Sequence, residues 1–245
     1  MKARPMPAND QTPSPTPAGT PAPPDPRGIV VISTGTAAEV LTAYLEQAGD
    51  LQVVGYAVDR AYLKEDSFLG RPVVAWEDIE TAFPPDQVRL IGPPTFARLN
   101  TFRRDRYLQG KAMGYDFASF IHPGSVVMTG DIGDHVIILD SCVIQPRTRI
   151  GNNVVIWSAS VVAHHCVIGD HCFLSSQVGI AGSTSIGAEC YLGGQAGITH
   201  NLRIGDRCAL LNAAVVHKDL PDDSVAVGQG AEIKGFPSSR IKHLI

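Results

Sequence analysis

His164 and Gly182 lie eighteen residues apart. An imidazole set beside an unobstructed glycine N–H pairs a general base with a donor for a developing oxyanion. The same spacing carries the file on through Pro146, His164, Gly182, His200 and Lys218, and a second file runs Arg147, His165, Ser183, Asn201 and Asp219. If eighteen residues make one turn of a coil, His164 has Gly182 on the next rung, about 4.8 Å away, and His200 two rungs off, about 10 Å. His200 is then too far to hydrogen-bond His164 but can line the same groove. The bland alternative is that His164 and His165 are polar corner residues without a task, since a fold does not dictate chemistry.

The elements that would position these groups are set by a shorter period. From Val126, every sixth residue is aliphatic through Val216, and the run includes Ile132, Ile138, Ile144, Ile150, Ile156, Val162 and Ile168. Neither an α-helix nor an amphipathic strand has a period of six; a parallel β-helix does, one short strand and one corner per hexapeptide. Gly133, Gly151, Gly169, Gly187 and Gly205 recur every eighteen residues, three hexapeptides and one turn of a triangular prism. These glycines are expected to supply the backbone angles of tight corners. Four residues after each aliphatic the side chain is usually small, and all five cysteines (142, 166, 172, 190 and 208) fall there. They read as core fillers in a reducing cytosol, and with no Cys-x-x-Cys pair a disulfide or zinc framework is a poor reading.

An outward file, Ile137, Val155, Phe173 and Tyr191, precedes the inward aliphatics. Exposed apolar files mark contacts between copies. This face, or the one bearing Val143, Val161 and Val215, is therefore expected to be buried between subunits, three prisms side by side placing His164 in a cleft against a neighbour.

Residues 1–27 form a proline-rich tail, with nine prolines in the first 26 residues and no apolar stretch of a signal peptide. Residues 28–119 read as a small α/β domain. Gly28–Ser33 is a strand, and Thr36 caps a helix from Ala37 to about Ala48 that Gly49 ends; further strands cover Leu51–Val58 and Gln87–Ile91, and a helix covers Phe96–Met113. A ligand of such a domain lies at the carboxyl ends of its strands, near Thr34, Gly35 and Asp59. The β-helix occupies 120–245, with Gly235–Arg240 as a terminal cap. A net charge of −4 gives no reason to expect nucleic acid or an anionic membrane as partner, and no apolar run is long enough to cross a bilayer.

The segment Val162–Asp170 resembles the active-site coil of bacterial nucleotide-sugar acyltransferases. Residues 28–240, with Ile121-His122-Pro123 as a hinge, resemble the sialic-acid and bacillosamine type of sugar acetyltransferase. Gln177–Thr184 and Gly193–Ile198 are also similar to the N-acyltransferase of lipid A synthesis. The resemblance implies a left-handed parallel β-helix behind a Rossmann-like domain, assembled as a homotrimer in the cytoplasm. It implies an acyl thioester carried by coenzyme A, acetyl-CoA foremost, or by an acyl carrier protein, without a metal, and a nucleotide-linked sugar as acceptor. It makes His164 the base, places His165 beside it, and puts Gly182 where a backbone amide meets the thioester oxygen. Gly182, Gly197, His200 and Lys218 would border the donor, and Thr34, Gly35 and Asp59 the acceptor. Three departures accompany it: His165 stands where an acidic residue or Asn is usual, the nucleotide turn is reduced to Ser33–Ala37, and Asn201 replaces a histidine of the lipid A enzyme. Two other classes stay open. One is a zinc enzyme resembling the γ-class carbonic anhydrases, drawing on His135, His164, His165 and His171; the other is a scaffold that keeps the prism without its chemistry.

Overall fold

The structure is a computed structural model, and it describes residues 25–231. The N-terminal tail up to residue 24 and the expected cap at Gly235–Arg240 lie outside the described residues.

The first part is a small α/β layer. The all-apolar run of β1 (Gly28–Ile32) is buried and pairs in parallel with β2 (Val53–Val58) on one side and β5 (Val88–Ile91) on the other. β4 (Arg71–Ala75) adds to β2 in parallel, and β3 (Ser67–Phe68) closes the edge antiparallel to β4. The order is β3-β4-β2-β1-β5. Helix α1 (Thr36–Ala48) buries Ala38, Leu41, Thr42 and Leu45, the one-face spacing of an amphipathic helix. Gly49 ends it in the left-handed conformation, φ +78°, donating its N–H to the Leu45 carbonyl. The N-cap is Gly35 rather than Thr36, and no side chain caps the helix. A single helical turn, α2 (Ile79–Ala82), precedes β5.

Helix α3 runs Thr101–Ala112, five residues shorter at its start than the sequence pattern predicts. Arg98, Leu99 and Asn100 hold φ of +53°, +50° and +66°, which no right-handed helix can contain. The reason is tertiary: the Asn100 amide donates to the carbonyls of Glu189 and Cys190, pulling the segment onto the prism.

The prism is a left-handed parallel β-helix of two-residue strands stacked in three sheets. The first face runs from Phe120–Ile121 to Val225–Ala226, the second from Val126–Val127 to Val215–Val216, and the third from Arg149–Ile150 to Arg203–Ile204. Inward aliphatics such as Ile144, Ile156, Val162 and Leu174 are fully buried along the shaft. A left-handed residue turns each corner, every sixth position from His135 to Ala213. The small inward positions do more than fit. Their hydroxyls and thiols donate to a carbonyl fifteen residues on, as Thr148 does to Ala163 (2.8 Å), Cys172 to Gly187 (3.0 Å) and Cys190 to Gly205 (3.1 Å). All five cysteines are free and buried.

Three expectations are corrected here. The eighteen-residue glycines do not turn the corners. None has positive φ, and a Cβ on Gly169 would stand 2.6 Å from the Gly187 backbone; they are needed for close stacking of successive rungs. The frame is not unbroken. Val126 pairs with Val143, so Val127 faces inward and Val126 is exposed. The last rung has sixteen residues, pairing Ala209 with Val225, and moves Asp219 from the file of Asn201 to Arg203, whose N–H it accepts at 2.8 Å. Finally, the outward file Ile137, Val155 and Phe173 is buried by the chain's own α/β layer, together with Ala38, Leu41 and Val31. An apolar file needs a cover, and here a domain of the same chain provides it. The second face keeps Val161 (40 % exposed) and Val215 (58 %) bare.

Candidate active site

Parallel pairing of Val161 with Gly179 and of Gly179 with Gly197 puts the corners that follow in register. His164 therefore stacks on Gly182. The contact is intimate: a Cβ on Gly182 would lie 2.6 Å from Cε1 and 2.9 Å from Nε2 of His164, so only glycine leaves room for the ring. Some corner amides are tied down by side chains of the adjoining rung, while those of Ser176 and His200 are left free among the described residues. The His164 N–H donates to Oε1 of Gln145 at 3.0 Å, and that of Gly194 to Asn212 at 3.0 Å. The Gly182 N–H has no acceptor among the described residues, whereas its carbonyl accepts from Asn201 N–H at 2.9 Å. An imidazole and an unspent amide thus share one corner.

Nδ1 of His164 lies 3.0 Å from Nδ1 of His165, the rings at 87° to each other. One ring donates and the other accepts. If His164 carries its proton on Nδ1 and donates it, its Nε2 bears the free lone pair, and His165 must hold its own proton on Nε2. Of the other predicted residues, Gly197 continues the second face beside Gly179, and His200 lies exposed one rung beyond Gly182. Lys218 is exposed where the final rung loses two residues, so its place in the file is less regular than the period implies.

Thr34, Gly35 and Asp59 line a cavity of about 530 Å³ at the carboxyl ends of β1 and β2. β2 and β5 leave β1 on opposite sides there, the crevice where open α/β sheets bind ligands. Sequence reading missed most of its wall: Trp76, Arg98, Phe102 and Arg106. Arg106 pairs with Asp59 and stacks on Trp76 and Phe102, 5.0 and 5.2 Å from the ring centres. The signal was present, since Phe102, Asp105, Arg106 and Gln109 have the spacing of one helix face.

The histidines divide between two edges of the prism. His135 and His171 sit under α3, where Nε2 of His135 accepts the Gly92 N–H at 2.9 Å and Nδ1 of His171 meets the Asn153 amide at 2.8 Å. His164 and His165 occupy another edge. The four do not converge, and among the described residues no group of three or more His, Cys, Asp or Glu is placed to hold a metal.

Known proteins share this fold. Residues 130–164 and 147–182 match the bacterial transferase hexapeptide family (six repeats). No curated protein matched by sequence. Among solved structures, the acetyltransferase domain of PglB from Neisseria gonorrhoeae FA1090, in complex with acetyl coenzyme A, is 23 % identical with a TM-score of 0.74, covering 85 % of this chain and 99 % of that one. PerB from Caulobacter crescentus, in complex with CoA and GDP-perosamine, is 26 % identical with a TM-score of 0.72, covering 87 % of this chain and all of that one. Residues 130–182 thus carry the hexapeptide repeat of that bacterial transferase family. Its fold as a whole, a small α/β layer ahead of a left-handed β-helix, matches these two solved structures.

Proposed function

We propose that the protein transfers an acetyl group from acetyl-CoA to an amino or hydroxyl group of a nucleotide-linked sugar, in glycan synthesis. The observation that carries the chemistry is the His164 ring lying against Gly182, whose N–H is unspent. The acceptor's nucleophile attacks the thioester carbonyl, and Nε2 of His164 takes its proton. The Gly182 N–H stabilises the tetrahedral oxyanion. Collapse expels the thiolate, which recovers a proton from the His164 imidazolium, leaving an amide or ester and free CoA. His165 keeps His164 in the tautomer this requires. Gly197, His200 and Lys218 would border the donor, and Thr34, Gly35 and Asp59 the nucleotide. The acceptor class is supported by the GDP-perosamine and CoA held by PerB and by the cavity at the crevice of the sheet.

The prism's three sides bear on assembly. The α/β layer covers the first face and grips the edges at both its sides, through Tyr44 to Asp140 and Ser158 and through Arg103 to the 171–172 corner. His164 turns the remaining edge, between the second and third faces. A sugar anchored in the cavity of one chain is thus turned away from that chain's own His164, and a second copy must supply it. A homotrimer with shared sites, packed through the bare second face, meets this need; a monomer by sedimentation would remove it. We place the protein in a reducing compartment, the cytoplasm, because five unpaired thiols fill its shaft. No helix among the described residues is long and apolar enough to cross a membrane.

The test is release of free thiol from acetyl-CoA with a nucleotide-linked amino sugar as acceptor. His164→Ala should lower kcat by about 10²–10⁴-fold, the usual worth of a positioned base, with the melting temperature unchanged. A variant at near wild-type rate, or no thiol release by the wild type with any such acceptor, would favour the scaffold reading.

A further inference from the structure

The turn ahead of α3 is held in a conformation that its sequence does not favour. Arg98, Leu99 and Asn100 are all left-handed, and none is glycine. Elsewhere among the described residues, non-glycine residues of positive φ occur singly, at the prism corners and at Ser33 and Leu69 of the α/β layer. Left-handed residues other than glycine normally appear one at a time, because Cβ crowds the following carbonyl. Three in succession persist only where the surroundings over-determine them. Here the prism does so from two points. The Asn100 amide donates to the carbonyls of Glu189 (3.1 Å) and Cys190 (2.9 Å), and the ring of Phe96 packs on Tyr191 and Phe173, with centroids 4.8 and 5.2 Å away.

The result of this turn is to bring Arg98 to the wall of the 530 Å³ cavity. Three of the cavity's other charged groups are spoken for: Arg106 pairs with Asp59, and Asp105 pairs with Arg104. Arg98 has no ion pair and no side-chain hydrogen bond among the described residues. Of the cavity's four charged groups Arg98 alone lacks an ion partner among the described residues, and a left-handed turn delivers it there. Beyond Tyr62 a second cavity of about 260 Å³ shares Thr34 and Val58 with the first; Phe68 and Val73 give it an apolar wall, and Lys64 stands at its edge.

We infer that Arg98 is the anion clamp of the acceptor site, binding the phosphate groups of the nucleotide-linked substrate in the larger cavity. The inference rests on the nucleotide-sugar reading above and deepens it. A guanidinium meets phosphate through paired N–H donors, which a lysine cannot reproduce. Asn100 acts at one remove, as a positioning residue that ties the turn to the prism.

Isothermal titration of the full chain with GDP and UDP, each against its nucleoside, tests this directly. In the wild type the diphosphate should strengthen binding over guanosine or uridine. Arg98→Ala should reduce that gain at least tenfold and leave nucleoside binding unchanged, and Arg98→Lys should recover only part of it. Asn100→Gly, which keeps the left-handed angle but removes the amide, should reduce the gain in the same direction without altering nucleoside affinity. Lys64→Ala should leave it intact. If Arg98→Ala retains the full gain, or Lys64→Ala is the variant that loses it, the assignment is overturned while the nucleotide reading stands. If the wild type binds neither nucleotide, the nucleotide reading fails and the clamp with it.

Discussion

His165 and His171 occupy the same place in the repeat, one corner apart, with the same left-handed backbone at φ +58° and +63°. Their fates differ because of what lies over them. The corner of His171 is roofed by α3. Its imidazole is half-buried against Tyr107 with Nδ1 on the Asn153 amide, and burial holds its pKa below the usual histidine value. Its carbonyl and that of Cys172 accept from Arg103. The corner of His165 has no roof. Its ring is exposed and meets His164, which in turn lies against Gly182. One repeat thus builds two edges with identical backbones. The edge whose polar groups are spent on a neighbouring helix is structural, and the edge whose polar groups remain unspent is available for chemistry.

The strongest way to break this contrast is to unroof the structural edge. Arg103 is fully buried and has no carboxylate partner. It donates instead to carbonyls of Thr95, Asn153, His171 and Cys172 and to the side chains of Asn100 and Asn153. Burial lowers its pKa to about 10, which still leaves it charged at neutral pH. Arg103→Met would keep much of the volume and leave the carbonyls of Thr95, Asn153 and His171 and the Asn100 side-chain oxygen without that donor, while the Cys172 carbonyl keeps the Val155 N–H. Each buried unsatisfied group costs about 1–3 kcal/mol, so we expect a loss of roughly 3 kcal/mol or more in denaturant unfolding. A loss under 1 kcal/mol would mean that α3 does not latch the two parts together.

The same edge should make stability depend on pH. His135 is fully buried beside Tyr107 and Phe117. Its pKa is lowered to about 3, first by burial and then by the nearby charges of Arg103, His171 and Lys111. Below the ordinary histidine value of 6.5, the unfolded chain takes up a proton that the folded chain refuses until about pH 3. The stability from a neutral His135 is therefore present above 6.5 and lost as pH falls. By pH 5 the loss is about 2 kcal/mol. His135→Gln keeps an acceptor for the Gly92 N–H without a titrating ring. Between pH 7.5 and 5 the variant should lose about 2 kcal/mol less than the wild type, and parallel losses would refute the assignment.

Why one edge was legible in the sequence and the other was not follows from the same contrast. The His164–Gly182 pairing depends only on a run of inward aliphatics that counts out eighteen residues, and that run is intact between Val143 and Val216. Val126 and Asp219 were misplaced because residues gained or lost at a corner leave the aliphatic pattern looking unbroken. The outward file of Ile137, Val155 and Phe173 reads identically whether a second copy or the chain's own α/β layer covers it. Helix-compatible residues from Phe96 to Asn100 gave no hint of a left-handed turn, since bonds to Glu189 and Cys190 override local preference. Apart from those two frame shifts, what escaped sequence reading was a contact between distant segments.

The smallest expected effect sharpens the contrast most, because it concerns the unroofed histidine itself. His165 touches no part of the structural edge, so replacing it should spare stability. In the proposed mechanism its contribution is a lone pair on Nδ1, which would receive the His164 N–H across 3.0 Å and leave the far nitrogen of His164 free to accept a proton. Asparagine can offer a carbonyl oxygen in the same role, and phenylalanine can fill the space but accept nothing. His165→Asn should remain within a few-fold of wild-type kcat. His165→Phe should fall by about tenfold, the worth of one neutral hydrogen bond of roughly 1 kcal/mol or slightly more. KM for acetyl-CoA should hardly change in either, since the acceptor bond orients the base rather than binding the donor. Equal losses in the two variants would show that His165 acts through its bulk or its own proton, and that His164 is oriented by the Gly182 contact alone.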